Sequence, residues 1–199
     1  MARLAVFASG NGSNFEALVE ALRARPSAEY PRHECVLLAY DRKAAFAAER
    51  AARLGVPSRY VTYLGRSRDE SEADISAALD ESRADLVALA GFMRVFTPGF
   101  TRARKNGIVN IHPYLLPKYP GAHAIRDAYD AGERVFGVTV HYIDEGVDTG
   151  PIIAQESFRA EEGESMESIE ERTHAVEHRL YPRVVLDLLD GIERSRRLR

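Results

Sequence analysis

The sequence predicts an α/β protein: an open, mainly parallel, twisted sheet with helices on both faces. Three observations predict it. Short apolar runs at 3–7, 34–40, 84–91 and 107–112 alternate with segments whose apolar residues recur at helical spacing. The connections are short, so successive strand–helix–strand steps close as parallel crossovers. Glycine-bearing polar loops also follow several strands, on the side of such a sheet where ligands bind.

Taken in order, RLAVF (3–7) reads as a first strand, followed by the cluster SGNGSN (9–14). FEALVEALRA then places Phe15, Leu18, Val19 and Leu22 on one helix face. ECVLLAY (34–40) is a second buried strand, and the Ala-rich 44–55 is helical up to Gly55. SRYVTY (58–63) predicts a third strand, RDESEADISAALDES a helix, and 84–91 another strand. Thr97 before Pro98 has the form of an N-cap and first helical residue. GIVNIH (107–112) is a strand, AIRDAYDAGE a short helix, and 135–144 and 151–160 two further strands. Ser165 caps a long final helix whose inner face includes Ile169, Thr173, Val176 and Leu180, with a kink or break expected at Pro182.

The 199 residues suit one domain, with no repeat or linker to divide it. A net charge of −3 favours neither a nucleic acid nor an anionic membrane as partner, and the ending RSRRLR reads as a solvated tail. No apolar run reaches the roughly 18 residues of a membrane span, and the first strand begins too early for a signal peptide. Cys35 is the only cysteine and lies within an apolar run, which points to an inert core thiol and a reducing compartment. The expected location is cytoplasmic.

Three loops carry chemistry. In SGNGSN the glycines let backbone N–H groups approach an anion at a helix N-terminus, and Ser13 and Asn14 add donors. Phe15 stands where a dinucleotide fingerprint needs a third small residue, and no Gly-Lys-Ser/Thr follows, so a single phosphate fits better. The plain alternative is a tight turn before a helix. In VNIHPYLLPKYPG (109–121) a period of two sets Asn110 and His112 on one side of the strand. An amide and an imidazole aimed into one space can stabilise an oxyanion and move a proton. A hydrogen-bonded Asn and a core His would have the same pattern. DEGVDTGP (144–151) offers Asp144, Glu145 and Asp148, but neither a calcium-loop repeat nor a zinc constellation. One of these carboxylates can orient His112 and favour its charged form. These loops, with GFMRVF, are expected to wall one cleft. His33, His174 and His178 are expected at the surface or in caps, while His141 is core or cleft wall. On its own, Glu177 reads as a solvated helix charge.

Together, SGNGSN, LAGFMRVFTP, NIHPYLLPKYPG and GVTVHYIDEGVDTGPII, in that order, resemble the folate-dependent phosphoribosylglycinamide formyltransferases of purine synthesis. The Asn-x-His-Pro pattern with a later Asp is similar to the wider group of 10-formyltetrahydrofolate-using enzymes. The resemblance covers the chain from Arg3 to the final helix and implies a Rossmann-like formyltransferase fold. It implies an N-terminal half for the ribonucleotide and a C-terminal half for folate and catalysis.

By the same resemblance Asn110, His112 and Asp148 are catalytic. Gly12, Ser13, Asn14 and Glu177 bind the ribonucleotide. Arg68, Met93, Arg94, Val95 and Phe96, with Asn110, Asp144, Glu145, Gly146, Val147 and Asp148, bind folate. The implied substrates are glycinamide ribonucleotide and 10-formyltetrahydrofolate, with no metal, nucleic acid or membrane partner, and a homodimer left open. Two related activities fit the same three residues: a deformylase, expected to carry an extra N-terminal domain, and a transfer-RNA formyltransferase, expected to carry an extra C-terminal one. A non-catalytic nucleotide-binding module is the alternative outside the enzymes. The chain departs from the resemblance at Tyr114, where a small residue is usual; its bulk would narrow the cleft or point outward.

Overall fold

The apolar runs become the strands of one sheet in a computed structural model describing residues 1–26 and 32–198. The strands are β1 (Arg3–Ala8), β2 (Glu34–Tyr40), β3 (Ser58–Tyr60), β4 (Leu86–Leu89), β5 (Ile108–His112), β6 (Val135–Tyr142) and β7 (Ile152–Arg159). The helices are α1 (Ser13–Ala24), α2 (Phe46–Arg53), α3 (Arg68–Ser82), α4 (Pro98–Ala103), α5 (Ala124–Asp130) and α6 (Met166–Arg197). The sheet order is β3-β2-β1-β4-β5-β6-β7. The pairings from β3 to β5 are parallel, and β5–β6 and β6–β7 are antiparallel. The order reverses between β1 and β4, so a crevice opens where their following loops diverge.

Strand alternation divides the core between two faces. Leu4, Val6, Leu38, Ala88, Val109 and Val140 pack with Leu18 and Val19 of α1, Ala47 and Ala51 of α2, and Val176, Leu180 and Val184 of α6. On the other face Ala5, Phe7, Leu37, Val87 and Ile108 meet Ile75 and Leu79 of α3 and Phe100 of α4. In β5 this second face carries Ile108, Asn110 and His112 in turn, so an apolar position at the strand's start gives way to two polar ones near its end. The buried Tyr181 of α6 donates its hydroxyl to the carbonyls of Leu89 (2.9 Å) and Val109 (3.2 Å), tying together the two strands that deliver the site.

Side-chain caps start three of the helices, Ser165 at α6 among them. Ser67 and Glu70 form a reciprocal capping box at the start of α3, and the Thr97 hydroxyl accepts from Phe100 N at α4. Several expectations change, β4 among them, with four residues where 84–91 was expected. β3 has three residues rather than six, because Leu64 N donates to Thr62 Oγ1 and turns the chain away. α2 begins at Phe46, two residues later than its composition suggests. α6 is one helix through Pro182, with no break. The carbonyl that loses its partner belongs to His178, four residues back on the exposed side, where water can replace the missing N–H.

His33 is also not at the surface. Its ring is buried, accepting from Ala2 N (3.2 Å) and facing Asp190 Oδ1 at 2.9 Å. Cys35 is buried, and desolvation pushes its thiol up to about 12, which keeps it unreactive. No helix among the described residues is long and apolar enough to cross a membrane.

Candidate active site

Beyond the carboxyl ends of β4 and β5 lies a cleft of about 230 Å³. Its walls are residues 91–96 after β4, 110–113 at the end of β5, Gly121 and Ala122, and much of the β6–β7 connection. Met93, Val95 and Val147 expose about half of their surface here, an apolar rim suited to a flat ring system.

At its floor the structure brings Asn110, His112 and Asp148 together. Asn110 and His112 leave β5 on one face, while Asp148 is held from the opposite loop by Gly121 N, which donates to Asp148 Oδ2 at 2.8 Å. His112 Nδ1 lies 3.3 Å from the same oxygen, and its Nε2 lies 2.9 Å from the Tyr119 carbonyl. Both ring nitrogens therefore face acceptors. Neither the carbonyl nor an ionised carboxylate can donate, so in the neutral ring one nitrogen keeps its proton toward an acceptor and the other is left to take one.

His141 is the residue that sequence reasoning left undecided. It stands opposite Asn110 across the β5–β6 pair and is fully buried. Its Nδ1 donates to the Tyr142 carbonyl (2.9 Å), leaving Nε2 to accept from Asn110 Nδ2 at 3.2 Å. Nε2 is also 3.5 Å from Asp148 Oδ1. One N–H of the Asn110 amide is thus engaged, and the other remains for a ligand oxygen. The alternation of Thr139 and His141 was visible in the sequence; the antiparallel register that opposes His141 to Asn110 was not.

As expected, Asp148 favours the charged ring of His112, but another influence is larger. Burial of the ring is the largest influence on His112 and lowers its pKa, outweighing the Asp148 charge and the Tyr119 carbonyl, which act upward. His112 is therefore held toward its neutral form rather than raised toward imidazolium. For Asp148 the neighbouring His141 ring leads in lowering the pKa, helped by Gly121 N and His112 against desolvation. The carboxylate stays ionised.

The remaining candidates divide. Met93, Arg94, Val95, Phe96, Asp144, Gly146 and Val147 line the cleft. Phe96 does so from within a stack with Phe92 and Phe100. Glu145 does not line it; its carboxylate turns outward to Arg102 at 2.9 Å. Arg68 lies in an adjoining hollow with Tyr63, Arg66, Met93, Arg94 and Val95. Arg94 packs over the Tyr63 ring and pairs with the buried Asp41 at 2.5 Å. Tyr114 neither narrows the cleft nor points outward. It is buried against Ala124, Phe136 and Ile169, with its hydroxyl donating to the Val135 carbonyl (3.0 Å).

SGNGSN does not line this cleft but adjoins it, with Ser9 Oγ accepting from Met93 N at 2.8 Å. Gly12 precedes α1 in the left-handed region, φ 77°. Asn14 Nδ2 donates to Glu177 Oε2 at 2.9 Å, and His174 Nδ1 meets the same oxygen at 3.0 Å. Glu177 is therefore a buried, partnered carboxylate rather than a solvated charge. Among the described residues no three His, Cys, Asp or Glu side chains are grouped to hold a metal ion.

An anion-ready helix start beside an amide–imidazole–carboxylate cluster at a sheet crevice is the layout of a group-transfer enzyme. The chain belongs to the formyl transferase family, whose model matches residues 2–185. It is 43% identical over 192 residues to the phosphoribosylglycinamide formyltransferase of Bacillus subtilis strain 168, covering 95% of each chain. Among solved structures, the glycinamide ribonucleotide transformylase 1 of Geobacillus kaustophilus superposes with a TM-score of 0.88 at 47% identity, over 95% of this chain and 99% of that one. The phosphoribosylglycinamide formyltransferase of Bacillus halodurans does so with a TM-score of 0.87 at 42% identity, over 94% and 95%. The fold is Rossmann-like, and the family implies a folate-type formyl donor.

Proposed function

We propose that this formyltransferase moves the formyl group of 10-formyltetrahydrofolate to the primary amine of glycinamide ribonucleotide. The products are formylglycinamide ribonucleotide and tetrahydrofolate, and the setting is de novo purine biosynthesis in the cytoplasm. The observation that carries this reading is the pairing of Asn110, His112 and Asp148 with a phosphate-suited loop across one crevice, in a chain that matches enzymes of that name over nearly their full length.

The amine lone pair attacks the formyl carbon, and the carbonyl π electrons move onto oxygen. The free N–H of Asn110 donates to that oxyanion, pre-aimed by His141, so little reorganisation is needed as charge develops. The nitrogen that attacked carries a surplus proton. Neutral His112 accepts it, becoming an imidazolium that Asp148 stabilises. The oxyanion then collapses, the bond to the folate nitrogen breaks, and His112 returns a proton to that leaving nitrogen. The ring ends as it began.

In this reading Met93, Arg94, Val95 and Phe96 and the 144–148 loop wall the folate, with Glu145 contributing backbone only. Arg68 sits toward its far end. Gly12, Ser13 and Asn14 receive the phosphate, and Glu177 orients Asn14 and the ribose. Residues 1–199 act as one domain, with the ribonucleotide on the N-terminal half and folate with catalysis on the C-terminal half. The chemistry as written has no step for a metal.

The test is release of formyl from 10-formyltetrahydrofolate with and without glycinamide ribonucleotide, with the product identified. Release that requires the ribonucleotide and yields its formyl derivative is expected. Equal release without it, with formate accumulating, would overturn the transferase reading.

A further inference from the structure

The loop between β1 and α1 has few means of holding itself. Gly12 caps α1 without any side-chain hydrogen bond, and Gly10 and Asn11 are exposed. Ser9 is held by the 91–93 segment, and beyond it the bracing comes from α2. Ala47 N donates to the Gly10 carbonyl at 3.1 Å, and a Cβ on Gly12 would lie 2.7 Å from Ala47 Cβ.

One turn further along α2, Arg50 spends its whole guanidinium on this region. Nε donates to the Asn11 carbonyl (2.9 Å) and one terminal nitrogen to Asn11 Oδ1 (2.9 Å). The other terminal nitrogen donates to Glu16 in the first turn of α1. Arg53 also donates to Glu16, but its side chain is 63% exposed against 17% for Arg50. A planar fork reaches three acceptors in fixed relative positions, which a lysine ammonium cannot copy. Because Glu16 pairs its charge, Arg50 is not a free cation awaiting an anion.

We propose that Arg50 is the positioning residue of the ribonucleotide loop. By clamping Asn11 at both its backbone and side-chain oxygens, it fixes the path of Gly12 and Ser13. The N–H groups opening α1 then converge on one point, where the phosphate binds. This inference rests on the ribonucleotide reading above and adds the element that shapes that subsite.

The experiment is steady-state kinetics on the full chain with both substrates varied, for the parent, Arg50→Met, Arg50→Lys and Asn11→Ala. Inorganic phosphate serves as an inhibitor competitive with the ribonucleotide, and melting temperatures are measured alongside. Losing the two hydrogen bonds to Asn11, along with that to Glu16, Arg50→Met is expected to raise KM for glycinamide ribonucleotide about tenfold. The phosphate inhibition constant should rise in parallel, while KM for 10-formyltetrahydrofolate and kcat stay within about twofold. Arg50→Lys should remain several-fold impaired, and Asn11→Ala, which removes one acceptor from an exposed loop, should show about a third of the effect.

Adding Glu16→Gln to Arg50→Met separates geometry from charge. Restoration of the parent KM would mean that an unmasked Glu16 repels the phosphate, which overturns the clamp. An unchanged ribonucleotide KM in both Arg50→Met and Asn11→Ala would also overturn it. So would a rise of both KM values together with a fall in kcat and a lowered melting temperature in Arg50→Met, if Asn11→Ala is normal. A parent that cannot be saturated by the ribonucleotide at all would overturn the functional reading, and this inference with it.

Discussion

The two ends of the crevice are built from opposite materials. At the proposed catalytic end, recognition rests on buried side chains that orient one another: His141 on Asn110, Asp148 on His112, and Gly121 N on Asp148. At the proposed phosphate end, it rests on backbone N–H groups exposed by Gly12 and held from outside by α2. The difference follows from the charge each must meet. An oxyanion exists only in passing, so its donors must already point correctly in a site of low dielectric. A phosphate is charged throughout, and a partly solvated helix start binds it without a large desolvation cost.

The sharpest way to break this comparison is to delete a member of the buried end. His112→Ala is expected to lower kcat by about 100- to 10,000-fold with the fold intact. KM for both substrates should move little. A near-normal kcat would move the proton transfer to another group.

Asp148→Asn is expected to cost somewhat less, about tenfold to a hundredfold in kcat, and it adds a pH signature. His112 acts first as a base, so activity falls on the acid side as the ring protonates, at a pKa below its ordinary 6.5. The Asp148 charge raises that pKa, so removing it should shift the acid limb to still lower pH. A shift to higher pH would assign the limb to a different group. In stability the sign is also set. The folded pKa of Asp148 is depressed, so its contribution is full above about pH 4 and is lost as pH falls through the folded value. Parent and variant should converge in strong acid.

At the backbone-built end the effects are expected to be smaller and to appear in ribonucleotide KM. Gly12→Ala forces a Cβ to 2.8 Å from Ala47 Cα at a φ of +77°. Together these should cost about 1–3 kcal/mol of stability and raise ribonucleotide KM with kcat nearly unchanged. Thermal unfolding and paired KM measurements check both. Ser13→Ala removes one donor and should raise the same KM about two- to tenfold, leaving folate KM alone. A folate-specific effect would exchange the two ligand ends.

What the sequence showed of this site follows the same division. Asn110 and His112 were legible because a period of two is enough to put them on one face. The 9–14 loop was legible as a turn into a helix, because glycine beside Ser and Asn before a helical run marks one; its anion role belongs to the proposal. Their partners were not. His141 reaches Asn110 only through an antiparallel register between strands 31 residues apart in sequence. The Tyr119 carbonyl is a backbone group that no residue type announces. Tyr114 turned into a separate apolar cluster with Phe136 and Ile169, which its local sequence did not indicate. The direction of the His112 shift depended on burial, a property of the assembled fold, and so did the capture of His33 by Asp190.

The smallest expected effect probes where the two ends meet, at Glu177. This carboxylate takes Asn14 Nδ2 on one side and His174 Nδ1 on the other. The bond to Glu177 raises the His174 pKa above its ordinary value. A raised folded pKa means stability that is full below about pH 6.5 and is lost as pH rises through the folded value. With 57% of its side chain exposed, His174 is screened, so the contribution should be only a few tenths of a kcal/mol. His174→Gln should therefore differ slightly from the parent in urea unfolding near pH 6 and match it near about pH 9. Asn14 retains its own bond to Glu177, so ribonucleotide KM above that range should also match. A difference that grew with pH would mean that the neutral ring, packed 6.5 Å from His178, matters more than its charge. A large rise in ribonucleotide KM at every pH would instead show that Glu177 depends on His174 to hold Asn14, extending the side-chain-built end into the ribonucleotide site.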